Sequence, residues 1–396
     1  MQEFKKIILG SGKDQSMKRY HPWVFSGAIK KMEGHPDEGD MVEVLSNKGE
    51  FLGMGHYQKG SIAVRVFSFL RAEPDYAFWK AKITDAWLHR QSTGLSGHPE
   101  TNMYRLVFGE GDGLPGMIID IYNDTAVFQS HSWGMYGLKD VFCQAVREVL
   151  GEKIVAVYNK SSESLPKREG MLYEDAYLWG HPGREHTAME NGLRFHINWK
   201  EGQKTGFFID QRDNRSLFGR YAEGKTVLNT FCYSGAFSVY ALAGGALHVD
   251  SVDSSRKAIE MTEKNILLND IDPQKHQSHV SDVFDFLKTA GLQYDLMVLD
   301  PPAFAKHHDA RHQAVMGYKR LNAEAMRIIK AGGLIFTFSC SQAIDRHLFN
   351  NTITAAAIQA GRNIRILHQL AQPPDHPVNI FHPEGEYLKG LVLQVE

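Results

Sequence analysis

The strongest constraint in this sequence is the regular alternation of strand-like and helix-like segments after residue 191. Strand-like runs fall at 226–231, 247–252, 277–281, 296–299 and 334–338, with helical periodicity between them, as at 255–269 and 319–330. Segments in this order bury both faces of a sheet when the strands run parallel and helices cover them. The pattern therefore predicts an α/β, Rossmann-like, doubly wound parallel sheet. One more strand-like run, 388–395, closes the chain.

In such a sheet ligands bind beyond the carboxyl ends of the strands, so the chemistry is sought there. The first strand runs into Phe231-Cys232-Tyr233-Ser234-Gly235-Ala236. This is a tight strand-to-helix turn that lacks the Gly-x-Gly-x-x-Gly dinucleotide fingerprint. The second ends at Asp253-Ser254, about 20 residues past the turn, where a carboxylate can bond a ribose diol. After the third comes Asp282, placed to accept from an adenine amino group or a backbone donor. The fourth ends in Asp300-Pro301-Pro302, whose prolines fix φ and remove two N–H groups, holding Asp300 in a rigid loop. The fifth ends in Phe338-Ser339-Cys340-Ser341. Singly, an Asp at a strand end is commonly a helix N-cap and a lone Cys a buried hydrophobe. Together on successive strand ends they specify a nucleoside-type cofactor beside an acidic loop, with a thiol facing both.

Two other textures precede this region. Residues 1–72 contain short alternating runs broken by glycines, the pattern of a small β-barrel. Residues 73–190 open with a helical pattern near 76–89 and continue with strand-like runs, an α+β mixture. Three domains are expected: 1–72, 73–190 and 191–396. The glycine-rich stretch 109–116 lacks the Gly-Lys-Ser/Thr ending of a phosphate loop and reads as a tight turn.

Net charge is −2, which by itself argues against a nucleic-acid partner. Its distribution reverses that inference. The first 35 residues hold seven basic and three acidic side chains, a local charge of +4. Within them Lys18-Arg19-Tyr20-His21-Pro22-Trp23 interleaves cations with aromatics, which suits phosphate contact and base stacking. Lys18, Arg19, His21 and Trp23 are the candidate RNA-binding residues; the alternative is a solvated loop with one core tryptophan.

Three cysteines, Cys143, Cys232 and Cys340, are too few for a disulfide framework or a cysteine-rich zinc module and fit a reducing compartment. The longest small-and-apolar run, 236–247, is interrupted by Ser238 and two glycines, short of the roughly 20 residues a membrane helix needs. A cytoplasmic location with no membrane partner is expected. His308 and His312 are four apart without a third ligand at matching spacing, so no metal is expected. The stretch from His307 to His312 is taken as a substrate-side segment.

Taken in order, the motifs carry a resemblance. Lys204-Thr205-Gly206-Phe207-Phe208-Ile209-Asp210-Gln211-Arg212 is followed by Asn229-x-Phe231-x-Tyr233-Ser234-Gly235, Val252-Asp253-Ser254, Asp282-Val283-Phe284, Asp300-Pro301-Pro302 and Phe338-Ser339-Cys340-Ser341. This series resembles the RlmI-type class I S-adenosylmethionine-dependent methyltransferases, which make 5-methylcytosine in large-subunit ribosomal RNA. The early His21-Pro22-Trp23-Val24-Phe25-Ser26-Gly27-Ala28 is similar to the start of that family's PUA domain, a small RNA-binding β-barrel.

The resemblance implies S-adenosylmethionine as cofactor, its methionine part against Phe231, Tyr233, Ser234 and Gly235. Asp253 and Ser254 would serve the ribose, Asp282 the adenine, and Asp300 the target ring. Lys204, Asp210, Gln211, Arg212, Pro301 and Pro302 would lie in the vicinity of cofactor and substrate. Cytosine C5 is too weak a nucleophile for direct attack on a sulfonium methyl, so Cys340 is expected to add to C6 as a thiolate. A lowered thiol pKa is expected from nearby cationic charge, with the sulfonium and Arg212 as candidates. The implied partner is 23S rRNA or a large-subunit precursor, and a homodimer is allowed for.

Where the family commonly carries an acidic pair, this chain has Met189-Glu190-Asn191-Gly192. No Cys occurs in Asp300-Pro301-Pro302-Ala303, which implies a single-thiol mechanism; Cys232 and Cys143 read as structural. A guanine methyltransferase on the same fold is the nearest rival; related enzymes of that kind lack a cysteine matching Cys340, which favours the pyrimidine reading. A non-catalytic RNA-binding assembly factor is the rival from another class.

Overall fold

Short strands joined by glycine-bearing returns build the N-terminal region of the computed structural model, which describes residues 3–167, 173–182, 186–304 and 311–396. The strands are β1 (Lys5–Leu9), β2 (Trp23–Phe25), β3 (Ile29–Glu33), β4 (Met41–Leu45), β5 (Phe51–Tyr57) and β6 (Ile62–Ser68). They form one sheet in the order β2-β6-β5-β4-β1-β3, with β1 parallel to β4. One face buries Ile7, Val24, Val42, Val44, Val64 and Val66. Gly55 is required where β5 meets β6, because a Cβ there would stand 2.5 Å from the Arg65 carbonyl oxygen. A one-turn helix, α1 (Gln15–Lys18), follows β1.

A second sheet follows helix α2 (Tyr76–Ser92), whose N-cap Asp75 accepts from the Phe78 amide at 2.9 Å. Its strands β7 (Met103–Phe108), β8 (Met117–Tyr122), β9 (Thr125–Ser130), β10 (Ala156–Asn159) and β11 (Ala176–Gly180) run in the order β11-β10-β9-β8-β7. Helices α3 (Trp133–Gly137) and α4 (Lys139–Leu150) lie between β9 and β10. Trp79, Ile83, Phe128 and Phe142 belong to its core. The glycine-rich stretch after β7 opens with a 3-10 turn, Gly109–Asp112, and joins the antiparallel pair β7 and β8. Asp112 holds it by accepting from the fully buried Arg90 at 2.5 and 2.7 Å and from the Phe108 amide at 2.6 Å.

The chain forms two compact units. One comprises Met1–Ala188, Ile197–Ile209 and Pro374–Gly385; the other comprises Met189–His196, Asp210–Pro373 and Glu386–Glu396. Both N-terminal sheets thus fall in the first unit, as does the late segment Pro374–Gly385. A short ribbon, β12 (Thr187–Glu190) and β13 (Leu193–His196), precedes the second unit's main sheet.

That main sheet has seven strands: β14 (Thr226–Thr230), β15 (His248–Asp253), β16 (His276–Val280), β17 (Tyr294–Leu299), β18 (Ile329–Ser339), β19 (Ile364–Leu370) and β20 (Lys389–Val395). Their order is β16-β15-β14-β17-β18-β20-β19. Helices α5 (Arg212–Arg220), α6 (Ala236–Ala243), α7 (Arg256–Leu268), α8 (Val283–Thr289), α9 (Arg311–Ile328) and α10 (Arg346–Ala360) alternate with them. Leu228, Val252, Met297, Leu299, Ile335 and Leu391 fill its core. Strand order reverses about β14, which opens a crevice at the carboxyl ends of β14, β15 and β17.

The expectation of a wholly parallel sheet needs one correction. β20 runs antiparallel to both β18 and β19. The crossover through α10 sets β19 one strand-width beyond β18, and the chain returns from the end of β19 to fill the gap. A strand entering from that end must run the opposite way.

Candidate functional site

The turn after β14 is unusual in its backbone. Phe231, Tyr233 and Gly235 have φ of 54°, 48° and 71°, so alternate residues are left-handed and two are not glycine. Such residues cost about 1–3 kcal/mol each and persist where the surroundings fix them. Here the clamp is visible. The Tyr233 amide donates to Asp253 Oδ2 at 3.0 Å, and the Cys232 amide donates to the Val252 carbonyl at 3.1 Å. Asp253 Oδ1 also accepts from the Ser255 amide at 2.8 Å. One carboxylate at the end of β15 therefore shapes the turn after β14. Gly235 is required twice over, since a Cβ would also lie 2.4 Å from Thr262 Cγ2. Ser234 is buried in the turn, whereas Ser254 is exposed beside Asp253. Asp282 caps α8, accepting from the Phe284 and Asp285 amides at 2.8 and 3.2 Å.

At the end of β17 stands Asp300, followed by buried Pro301 and exposed Pro302. Gln211 Nε2 donates to Asp300 Oδ2 at 3.0 Å, and Asn214 Nδ2 donates to Gln211 Oε1 at 2.6 Å. The second bond orients the amide so that its N–H side faces the acid. Asp210 accepts from the Tyr387 hydroxyl at 2.6 Å through Oδ2, while its buried Oδ1 has no partner among the described residues. Burial, then the negative charge of Asp210, pushes the Asp300 carboxyl from its ordinary 3.8 up to about 7. Near neutral pH this group holds a proton about half of the time.

Cys340 follows β18 and is partly buried. Its environment overturns the expected low pKa. Burial, then Asp300 and Asp210, pushes the thiol up to about 12. The cation that opposes them is Lys389, not Arg212. Arg212 is 2% exposed and lies 3.6 Å from Asp213. The two remaining cysteines are structural in character: Cys143 is buried in α4 and Cys232 packs its sulfur 3.6 Å from Thr262 Oγ1.

Three contributors to this site escape sequence reasoning: Asn214, Tyr387 and Lys389. Lys389 had a signal, because it interrupts an otherwise apolar terminal run, Leu388-Lys389-Gly390-Leu391-Val392. It is 3% exposed and donates from Nζ to the carbonyls of Ser341 and Tyr387 at 2.8 and 2.7 Å. Glu190, where the family's acidic pair is altered, is buried against Arg215 through two 2.8 Å bonds and also accepts from the Tyr240 hydroxyl at 3.0 Å.

In the first unit, Lys204 is exposed with φ 53°. Lys18 and Arg19 are exposed, Lys18 pairing with Asp14 at 2.7 Å. Trp23 is only partly exposed: its indole N–H donates to Glu110 at 2.7 Å and its ring stacks edge-on to His382 at 4.4 Å. His21 lies 3.3 Å from Glu384. The more accessible aromatics here are Tyr20 and Phe25, 53% and 45% exposed. His307, His308, Asp309 and Ala310 lie outside the described residues.

Comparison with known proteins agrees with this architecture. Residues 7–69 match the PUA-like domain, and residues 168–391 match the S-adenosylmethionine-dependent methyltransferase family. The chain is 38% identical over 98% of both chains to the ribosomal RNA large subunit methyltransferase I of Alteromonas mediterranea. It is 37% identical to the Escherichia coli protein of that name, covering 98% of this chain and 99% of that one. A Streptococcus mutans protein described as a SAM-dependent methyltransferase superposes with a TM-score of 0.84 at 25% identity, covering 98% of this chain and 100% of the other. A methyltransferase structure complexed with SAH gives the same values. The chain belongs to the S-adenosylmethionine-dependent methyltransferases and, within them, to the family of ribosomal RNA large subunit methyltransferase I.

Proposed function

We propose that this enzyme methylates C5 of a cytosine in large-subunit (23S) ribosomal RNA, or in a precursor of that subunit, with Cys340 as covalent nucleophile. The observation that carries the reading is a partly buried thiol, Cys340, at the carboxyl end of β18, beside Asp300 at the same end of the adjacent parallel strand β17. A purine nitrogen attacking directly needs no thiol there. The names of the relatives supply the RNA substrate.

The residues present suit the cofactor. Asp210 keeps a buried carboxylate oxygen that has no partner among the described residues, the kind of acceptor that a cationic methionine end satisfies. Phe231, Tyr233, Ser234 and Gly235 would border that end, with Asp253 and Ser254 at the ribose and Asp282 at the adenine. Bound S-adenosylmethionine supplies an electrophilic methyl for C5. The rest is work for the chain's own residues. Cys340 sulfur bonds C6, which places enamine electrons on C5. Asp300, protonated about half of the time at neutral pH, donates in that form to the pyrimidine edge and stabilises the charge that the adduct brings. After C5 is alkylated its proton passes to water, the C5–H electrons restore the C5=C6 bond, and the C6–S bond breaks with its electron pair leaving on the thiolate. Gln211, held by Asn214, keeps Asp300 in place. Arg212, Pro301 and Pro302 would shape the surroundings.

RNA carrying 5-fluorocytosine should trap a covalent adduct with the wild type and none with Cys340→Ala, which should also lose methylation. Full methylation by Cys340→Ala would end the covalent reading. We assign the RNA-binding role to Lys18, Arg19, His21 and Trp23, joined by Tyr20 and Phe25, with Lys204 near the substrate. The domains proposed are 1–72, 73–190 and 191–396. A cytoplasmic site of action fits an RNA substrate, and no helix among the described residues is long and apolar enough to cross a membrane. Light scattering of the purified chain distinguishes monomer from homodimer.

A further inference from the structure

We propose that Arg65 and His131, with Lys204 at the rim, form a binding site for one phosphodiester of the RNA beside Trp23. The inference rests on the RNA substrate of the preceding section and adds a phosphate site to the residues assigned there.

The site begins with an unmatched charge. Arg65 lies on β6 directly opposite Trp23 of β2, and opposite residues of an antiparallel pair share one face. Its Nη1 is buried and has no hydrogen-bond partner among the described residues. The residue as a whole is half-buried, so one side of the guanidinium stays open to an incoming group. A guanidinium does not shed its proton to escape burial, so an unmet fork carries a standing cost that an anion removes. Glu110 is the carboxylate whose charge acts on Arg65. Its Oε1, however, is occupied by the Trp23 indole N–H at 2.7 Å.

The glycine-rich turn between β7 and β8 brings a second donor to the same place. A Cβ at Gly116 would stand 3.4 Å from Arg65 Cδ, and the Gly116 carbonyl accepts from the His131 amide at 2.8 Å. The His131 imidazole has no hydrogen-bond partner among the described residues. Burial, then the charges of Lys204, Arg105 and Arg65, brings the ring down to about 4, so at neutral pH it is an uncharged donor of one N–H. Arg105 is already matched by Asp120 at 2.7 and 2.8 Å. Lys204 is exposed and has no ion-pair partner among the described residues. Its neighbour Thr205 is buried and fixes that turn by donating to Asp120 at 2.5 Å. Two unmatched cations, Arg65 and Lys204, thus stand against one carboxylate, Glu110, and the surplus suits the negative charge of a phosphodiester. The planar fork of Arg65 can meet two of its oxygens. The turn lacks the Gly-Lys-Ser/Thr ending of a phosphate loop, and the cations come instead from segments remote from it in sequence.

The test is filter binding of the full-length protein to a 23S rRNA transcript across a salt series, with urea unfolding of the same variants. Arg65→Gln removes one phosphate contact, so affinity should fall about tenfold near 0.1 M salt and the logarithmic salt dependence should become shallower by about 0.7–0.9. His131→Phe removes a neutral donor that displaces no counterion, and should weaken binding several-fold with the slope unchanged. Because the Arg65 guanidinium has no hydrogen bond to lose, Arg65→Gln should unfold at a urea midpoint no lower than that of wild type. A lower midpoint makes Arg65 a structural residue and overturns the proposal, as does an unchanged salt slope. If the slope is unchanged while calorimetry shows inorganic phosphate binding wild type but not Arg65→Gln, the site takes free phosphate and not RNA. Failure of the wild type to bind the transcript defeats the substrate reading, whereas binding that Arg65→Gln leaves unaltered defeats this site alone.

Discussion

Asp300→Asn should change how the stability of this protein depends on pH. In the folded chain burial and Asp210 lift the Asp300 carboxyl from 3.8 to about 7. At 1.36 kcal/mol per pH unit the displacement corresponds to about 4 kcal/mol, and partial exposure of the side chain reduces the expected effect to about 2–4 kcal/mol. Its sign follows from proton binding. Below pH 4 the carboxyl is protonated in both states and has no effect. Between about 4 and 7 the unfolded chain releases the proton more readily than the folded one, so stability falls as pH rises. Above about 7 both states are ionised and the loss is complete. Asn cannot ionise, and its side-chain oxygen can still accept from Gln211. The assay is urea unfolding of wild type and Asp300→Asn at pH 5 and pH 8 without added cofactor, taking the difference between the proteins to cancel other titrating groups. About a third of that loss has already occurred by pH 5, so Asp300→Asn should gain about 1–3 kcal/mol on wild type between the two pH values. Parallel stability profiles would show that Asp300 titrates normally, and its role as a proton donor at neutral pH would fall with that result.

Other perturbations test separate parts of the structure. Glu190→Gln leaves Arg215 buried without its counter-charge and should cost about 3–5 kcal/mol in urea unfolding. Gly235→Ala forces a Cβ against Thr262 at a left-handed position, and should cost about 1–3 kcal/mol and weaken cofactor binding in calorimetry. Gly291→Ala, with open space around it, is the matched control and should do neither. Reversing Lys18 and Arg19 to Glu should weaken RNA binding and make its logarithmic salt dependence shallower by about 2. Equal affinity at low salt would remove both residues from the RNA surface.

Much of the architecture is legible before any coordinates. The alternating pattern after residue 191 places β14 to β18 within a few residues, because apolar periodicity and turn chemistry are local properties of the chain. Asp253, Asp282, Asp300 and Cys340 are found at strand ends for the same reason. The exceptions are instructive. β20 reads as a strand, but its direction depends on a gap left by a crossover elsewhere. Trp23 stands among cations as a base-stacking residue would, yet its indole N–H is engaged by Glu110, far along the chain. Thr262, which makes Gly235 obligatory, is likewise remote from the turn it constrains.

Residue types and their spacing by themselves determined the three textures of the chain, the strand-end carboxylates and the single thiol among them. Only the tertiary structure decided the state of those groups. It buried Asp300 and set Asp210 beside it, and thereby raised that carboxyl to about 7. It also brought the terminal strand against β18, so that Lys389, remote in sequence, is buried on the carbonyl of Ser341, the residue after Cys340. Periodicity is written by neighbours along the chain, whereas burial and electrostatics are sums over neighbours in space, and those neighbours exist only once the sheet has closed.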